Sequence, residues 1–531
     1  MTIKINNISL TLDEDLEFLK ERIAKKLRLS QDNIIKYTIL RESLDARKRD
    51  NIKFNYSVEV FIEKEEQIVN SLRDNDIQLY KTAIREKIIF GNKKLNTRPI
   101  VVGMGPAGMF AALELAKNGY RPLVIERGEA IENRTKKVNN FWKSGILNCD
   151  SNVQFGEGGA GTFSDGKLTT RIKDTRCDYV LDEFVKSGAP DEIVYSGKPH
   201  IGTDILKIVV KNIREKILML GGEILFNNRL EDINIKDNKI KSIVVNRTEI
   251  PCEVLVMAIG HSSRDTYEML HRKNIFMEPK PFAIGVRIEH SQKLININQF
   301  GKFAEHPRLN AAEYRLTHTC RDSGRAVYSF CMCPGGTVVS ASSEPYMVVT
   351  NGMSDYKRDK DNANSALVVS VNSSDFLSNS PLSGMEFQRH YEKLAYTTGG
   401  GEYAAPVQLA EDFINGRITK KLGNIKPSYK PGYEFSDLKE CLPSYVCEAL
   451  KEGLLEFNKK IKNFSDNNSI LTGIETRTSA PLKIIRNEKL QSINLVGLYP
   501  SGEGAGFAGG IISAAVDGIK SAECIMKEYS A

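Results

Sequence analysis

The chain of 531 residues, 41% hydrophobic and 27% charged, is too long for one core: at about 150 residues per domain it holds about three or four, with an ordinary globular composition. Its net charge of +7 is a mild excess, and no block interleaves Lys and Arg with aromatics, so nucleic acid is not an expected partner. No apolar run approaches the ~20 residues of a bilayer span, the first segment carries acids where a signal peptide is apolar, and the nine scattered cysteines include no C-x-x-C pair, so a cytoplasmic protein without a disulfide framework or metal is expected.

Ile3, Ile5, Ile8 and Leu10 alternate with polar residues as a half-buried strand does over 2–11. Leu16, Leu19, Ile23 and Leu27 follow at helical spacing over 13–28, and strands are predicted at 33–41 and 52–62. This βαββ order defines a small N-terminal α+β domain, residues 1–64. Residues 65–97 are mostly polar and read as a connector. From 201 to 245 the pattern gives a helix, a Gly221-Gly222 turn, a strand, and a strand pair turning at Asp237-Asn238. A further strand ends at Gly260. Residues 276–465 alternate strand-like runs with Gly, Ser and Asn stretches, as an inserted substrate or cap domain of mixed α+β type. It interrupts a discontinuous Rossmann-like domain, residues 98–275 and 466–531, in an α/β chain.

The nucleotide fingerprint opens that domain. Ile100–Val102 is a short apolar strand, Gly103-Met104-Gly105-Pro106-Ala107-Gly108 follows at once, a helix comes next, and a second strand ends on Glu126. Gly103 permits the tight turn, Gly105 lets backbone approach a pyrophosphate, and Gly108 lets helix and strand pack closely. The helix N-terminus offers free N–H groups to the phosphates. Glu126 is suited to accept from both ribose hydroxyls, and its charge repels a 2′-phosphate. Two other segments share the spacing. Gly156–Gly161 follows no long strand and leads into no helix. Gly504–Gly509 sits between a strand and a helix, but no second strand with a ribose-binding acid follows. One dinucleotide therefore has a dedicated site.

The run from Val101 to Gly128 resembles the FAD-binding start of the glutathione-reductase-like flavoproteins. Their internal strand-plus-glycine motif is matched at Val254–Gly260, and their C-terminal motif at Leu495–Gly518. Phe155–Leu168, Lys280–His290, Ser329–Gly336, Thr350–Val371, Glu475–Pro481 and Arg41–Asp50 resemble a family of bacterial FAD-dependent dehydrogenases, related also to geranylgeranyl-reductase-like flavoproteins. The resemblance spans essentially the whole chain. It implies FAD as cofactor, with Glu503 binding the ribityl chain where many relatives use Asp. It also implies that the helix beginning near Gly509, Gly510 and Ile511 points its positive end at the flavin pyrimidine. Arg127, Gly159, Ala160, Gly161 and Gly260 complete the expected cofactor contacts.

Catalytic residues are less defined. Ser164, Asp165 and Lys167 follow a loop glycine-rich enough to lie against a flavin, or to be simple surface loop. His261 follows Gly260 beside the cofactor or serves structure alone. Cys331 and Cys333 form the closest cysteine pair, reactive if a low thiol pKa is arranged and otherwise inert. The Cys-x4-Cys pair of glutathione-reductase enzymes is absent, which argues against disulfide reduction. Cys441 and Cys447 read as core. Arg477 and Ser479 face either the pocket or a surface acid. Three functions follow. The first is an FAD-dependent oxidoreductase passing a hydride between flavin N5 and a small organic substrate, with NAD(P)H visiting transiently if at all. The second is a flavoprotein reduced by an electron-donor protein. The third is an FAD sensor or adaptor acting through its N-terminal domain.

Overall fold

The computed structural model describes residues 1–81 and 85–531. At the N-terminus a four-stranded sheet runs in the order Lys36–Asp45, Lys53–Phe61, Thr2–Thr11, Ile77–Tyr80. Ile3, Ile5, Ile8 and Leu10 are all buried on one face, although the step from Ile5 to Ile8 breaks the period of two. A β-bulge between them, with Asn7 at φ 56°, absorbs the extra residue and restores the facing. The helix Phe18–Leu27 covers that face with Leu19, Ile23, Ala24 and Leu27. Leu16 lies before the helix and is exposed.

The segment 65–97 is more than a connector: it contributes the helix Glu65–Leu72 and the edge strand Ile77–Tyr80, which pairs with Thr2–Ile5. Four residues are too few for a periodic signal, and the strand is held by its partner rather than by pattern. The backbone of Glu42 pairs with Tyr195 and Gly197, which seats this sheet on the rest of the chain.

Five short parallel strands form the central sheet, in the order Leu498–Pro500, Leu255–Met257, Ile100–Val102, Leu123–Ile125, Glu223–Leu225. All but the last are buried throughout, as strands covered on both faces are. Val101, Val124, Val256 and Tyr499 face the helices Pro106–Lys117, Thr203–Met219 and Ile511–Glu528. Ile100, Val102, Leu123, Ile125, Leu255, Met257 and Leu498 face a three-stranded antiparallel meander over Leu230–Pro251 and the helix Arg264–Arg272. Asp237 and Asn238 both take positive φ at the meander's first turn, the geometry of a type I′ hairpin. Ile100–Val102 lies where the chain order reverses, so the carboxyl ends of the central strands open a crevice there.

The second large sheet has seven strands, in the order Thr317–Thr319, Ala326–Cys333, Asn362–Val371, Phe282–Ser291, Ile470–Glu475, Ala405–Leu409, Tyr433–Phe435. Ile470–Glu475 lies beyond 465 yet pairs with Phe282–Ser291 inside this sheet, so the inserted segment runs further than its composition suggests. The strand is buried throughout and its apolar run reads equally well in either unit. The chain enters and leaves the insertion through a two-stranded neck, Met277–Pro279 against Leu482–Ile484.

Candidate functional site

A cavity of about 390 Å³ opens where the central sheet's carboxyl ends meet the seven-stranded sheet, within the size range of cofactor pockets. Gly103, Gly105, Pro106, Ala107, Glu126, Arg127, Gly159, Ala160, Gly161, Gly260, Glu503, Gly509, Gly510 and Ile511 all line it. Gly108 does not. A Cβ there would lie 1.9 Å from the Gly103 carbonyl, so its task is the close packing of helix on turn.

Two helices aim their N-termini into this space. Pro106–Lys117 starts from Gly105 and Ile511–Glu528 from Gly510, and neither has a side-chain cap. Their first N–H groups, and the positive ends of their dipoles, are left for a ligand. Backbone geometry demands glycine where the two loops meet. Gly103 takes φ +97°, and Gly159, at φ +62°, has no room for a Cβ, which would sit 2.9 Å from the Gly105 Cα.

Glu126 is buried. Its Oε2 accepts from the Met104 N–H at 2.7 Å, and its Oε1 from Gly128 and Gly156 at 2.8 and 2.9 Å. A carboxylate has about four acceptor positions, and three are filled by backbone. It fits one ribose hydroxyl fully and the second only by sharing, which narrows the two-hydroxyl expectation. The carboxylate also ties three loops together.

The glycine-rich loop over 156–167 is gripped from below by Arg134, a fully buried side chain that sequence reasoning missed. It donates to the carbonyls of Asn152, Val153, Gly156 and Glu157 at 2.9, 2.9, 3.3 and 2.5 Å. Burial lowers its pKa to about 10, still well above neutral. Glu157 accepts from the Ile131 N–H and from Arg214, and burial pushes its carboxyl up to about 7. Asp165 resists its burial through a paired Arg358, which holds it below the usual carboxylate range. Ser164 and Lys167 also line the cavity, and the Lys167 ammonium donates to the Met332 carbonyl.

Glu503 projects into the cavity with no hydrogen bond to protein among the described residues, and burial raises its pKa to about 7 against the pull of Lys280. The turn before it is fixed by Asp517, which accepts from the Gly502 N–H at 2.7 Å and pairs with Arg486 at 2.6 Å. A free carboxylate, two uncapped helix starts, and Gly260 and Gly509 bordering open space together fit a dinucleotide carrying a polyhydroxyl chain.

His261 and Arg477 are on the wall. Burial, with Arg477 and Arg264 nearby, depresses the His261 pKa to about 3, so its imidazole is neutral, with Nδ1 2.9 Å from the Ser262 hydroxyl. Arg477 pairs with the buried Glu392 at 2.8 Å rather than with a surface acid, and Glu392 also binds Arg264 at 2.7 Å. Ser479 accepts from Lys280 and is not on the wall. Cys331 lines the cavity and Cys333 lies buried beside it. Cys441 and Cys447 are core residues.

A parallel sheet with glycine-led helix ends over a ligand-sized crevice, faced by a second sheet, defines a dinucleotide-binding flavoprotein fold. Residues 281–478 match the family model described as FAD-dependent protein, C-terminal domain-like, and residues 2–61 match a domain of unknown function. The chain belongs to the same family as an uncharacterized protein of Clostridium beijerinckii, which is 60% identical over 529 residues, covering 100% of this chain and 99% of that protein. Its cofactor is FAD. A thiamine thiazole synthase of Aeropyrum pernix is 26% identical over 34% of this chain and 60% of its own length. Among solved structures, L-proline dehydrogenase from P. horikoshii matches 82% of this chain and 94% of its own at 13% identity and a TM-score of 0.33. Among the described residues, no helix is long and apolar enough to cross a membrane.

Proposed function

We propose that this protein is an FAD-dependent oxidoreductase acting on a small organic substrate, and that its kinship lies with the glutathione-reductase-like and geranylgeranyl-reductase-like flavoproteins. The observation that carries the reading is the cavity's two-sided wall. One side is built from the two glycine-led helix starts, and the other from Phe330, Cys331 and Glu475 of the seven-stranded sheet, with Asn351 of a neighbouring two-stranded sheet. Bound FAD supplies two-electron chemistry, exchanging a hydride at its N5 with the substrate.

The chain's own residues bind and orient. Gly105 and the N–H groups of the helix it starts hold the pyrophosphate, Glu126 holds a ribose hydroxyl, and Glu503 holds the ribityl chain. The helix from Ile511 places its positive end against developing negative charge, an effect of roughly 0.3–1 kcal/mol. Asn351, whose side-chain N–H groups have no protein partner among the described residues, and the neutral His261, whose Nε2 has none, are polar groups on the cavity wall that can orient a substrate.

The test is spectroscopic. The purified protein is expected to be yellow, to release FAD identified by mass on heating, and to bleach with dithionite and recover with an acceptor. A colourless protein that cannot be reconstituted with FAD would sink the reading. Fast flavin reduction by NADH or NADPH alone would count against a protein electron donor.

A further inference from the structure

We propose that Cys331 and Cys333 form a redox-active dithiol that exchanges two electrons with the flavin. The inference rests on the FAD-dependent reading above and names the substrate class behind it: an external dithiol.

Cys331 is the one cysteine on the cavity wall among the described residues, and its thiol lies close enough to Lys167 and Glu503 to feel their charges. Cys333 is buried directly beneath, its thiol donating to the Cys331 carbonyl at 3.3 Å. An extended strand holds residues two apart at ~7 Å, the limit beyond which a disulfide cannot close. Here the strand is not extended. The pairing register breaks between Phe330 and Cys333, and Cys331 takes φ 45°. The bend sets Cys331 on the cavity wall with the two thiols within hydrogen-bond reach of each other. The bulge holds an L-residue in a strained conformation, of the kind that clusters at functional sites.

The loop is also clamped by cations. Arg287, fully buried and paired with Glu475 at 3.0 Å, donates to the Cys331 carbonyl at 2.9 Å. Lys167 donates to the next carbonyl, that of Met332. Two positive charges and a thiol donor around one sulfur favour its thiolate. The hydrogen bond from Cys333 and the charges of Arg287 and Lys167 draw the Cys331 thiol below its ordinary value against the effect of burial, while Cys333 is driven up. That asymmetry suits a nucleophile and its resolving partner.

The step balances. The two thiols lose two electrons and two protons as the S–S bond forms. The flavin takes both electrons and one proton, and the second proton leaves to solvent. Thiol–disulfide exchange with an external dithiol, itself oxidised to a disulfide, restores the pair.

The experiment is an anaerobic dithionite titration of the FAD-loaded protein after mild oxidation, with alkylation and peptide mass measurement alongside. Wild type is expected to take up four electrons per flavin, and Cys331→Ser and Cys333→Ser two. The oxidised wild-type peptide is expected to resist alkylation and to be lighter by two hydrogens. Cys333→Ser, with the Cys331 thiolate beside an oxidised ring, is expected to show a long-wavelength charge-transfer band. Two-electron uptake by wild type, with both thiols open to alkylation throughout, overturns the proposal. The wild-type peptide mass decides even where a variant fails to fold. A protein that binds no FAD overturns the underlying reading instead, and absent flavin absorbance reveals this before any titration.

Discussion

Replacing Arg134 with Met isolates what holds the glycine-rich loop against the cofactor. The aliphatic stem is kept, and four donations to the carbonyls of residues 152, 153, 156 and 157 are lost. Hydrogen bonds from charged groups contribute about 1.5–3 kcal/mol each, but the cation no longer has to be buried, which returns several kcal/mol. The net, after that return is subtracted, is about 3–5 kcal/mol. Because the carbonyls lie in a loop at the cavity, the loss falls on loop order before global stability. If FAD binding must supply about 3 kcal/mol of that ordering, its Kd rises about 100-fold. Titrating FAD into stripped wild-type and Arg134→Met protein reads this directly. Arg134→Lys, which keeps the charge but reaches fewer carbonyls, should fall between. Equal FAD affinities for Arg134→Met and wild type, with both folded, would refute the clamp.

Gly159→Ala forces a Cβ to within 2.9 Å of the Gly105 Cα at φ +62°; overpacking of this kind costs about 1–3 kcal/mol, and a wild-type melting temperature with full flavin retention would contradict it. Glu503 has a folded pKa of about 7, raised from 4.5, so the ligand-free protein binds its proton more tightly than the unfolded chain. Its stability contribution is present below pH 4.5 and is lost as pH rises through 7. Glu503→Gln should therefore gain stability relative to wild type over that window, and a flat difference in melting temperature would count against this. His261, with a pKa near 3, should show no protonation by NMR between pH 5 and 8; an acid limb in that range abolished by His261→Asn would overturn the assignment of a neutral imidazole.

Much of the cofactor side was legible in the sequence because its chemistry is local. Gly103, Gly105 and Gly108 act within one turn and one helix start, so spacing reports them. Glu503 and Gly509–Ile511 are equally compact. Arg134 and Asp517 left no such trace. Each works through carbonyls, amides or an arginine brought in by tertiary folding, and a lone Arg or Asp on a helix resembles a solvated one. The acids and bases at 264, 392 and 477 are more than eighty residues apart in sequence and meet only when both large sheets are assembled. Ile77–Tyr80 was hidden for the opposite reason: four residues carry no period, and a polar neighbourhood masks a strand that its partner defines. Cys331 and Cys333 were visible as a pair, but the bulge that sets the first on the cavity wall is a property of the ladder.

The Glu392 cluster bears on how anything reaches the flavin. Arg264 comes from the nucleotide-binding side, while Glu392 and Arg477 come from the inserted segment, and all three are almost wholly shielded from water. Swinging the inserted sheet about its two-stranded neck would strip Arg264 from Glu392 and return both charges to water, so the pair resists opening only by the small surplus of its attraction over its desolvation. The pair therefore fixes the register in which the two sides close more than the strength with which they stay closed. Each time the cavity closes, Arg264 and Arg477 return to the same carboxylate, and the cavity's two walls return to the same facing.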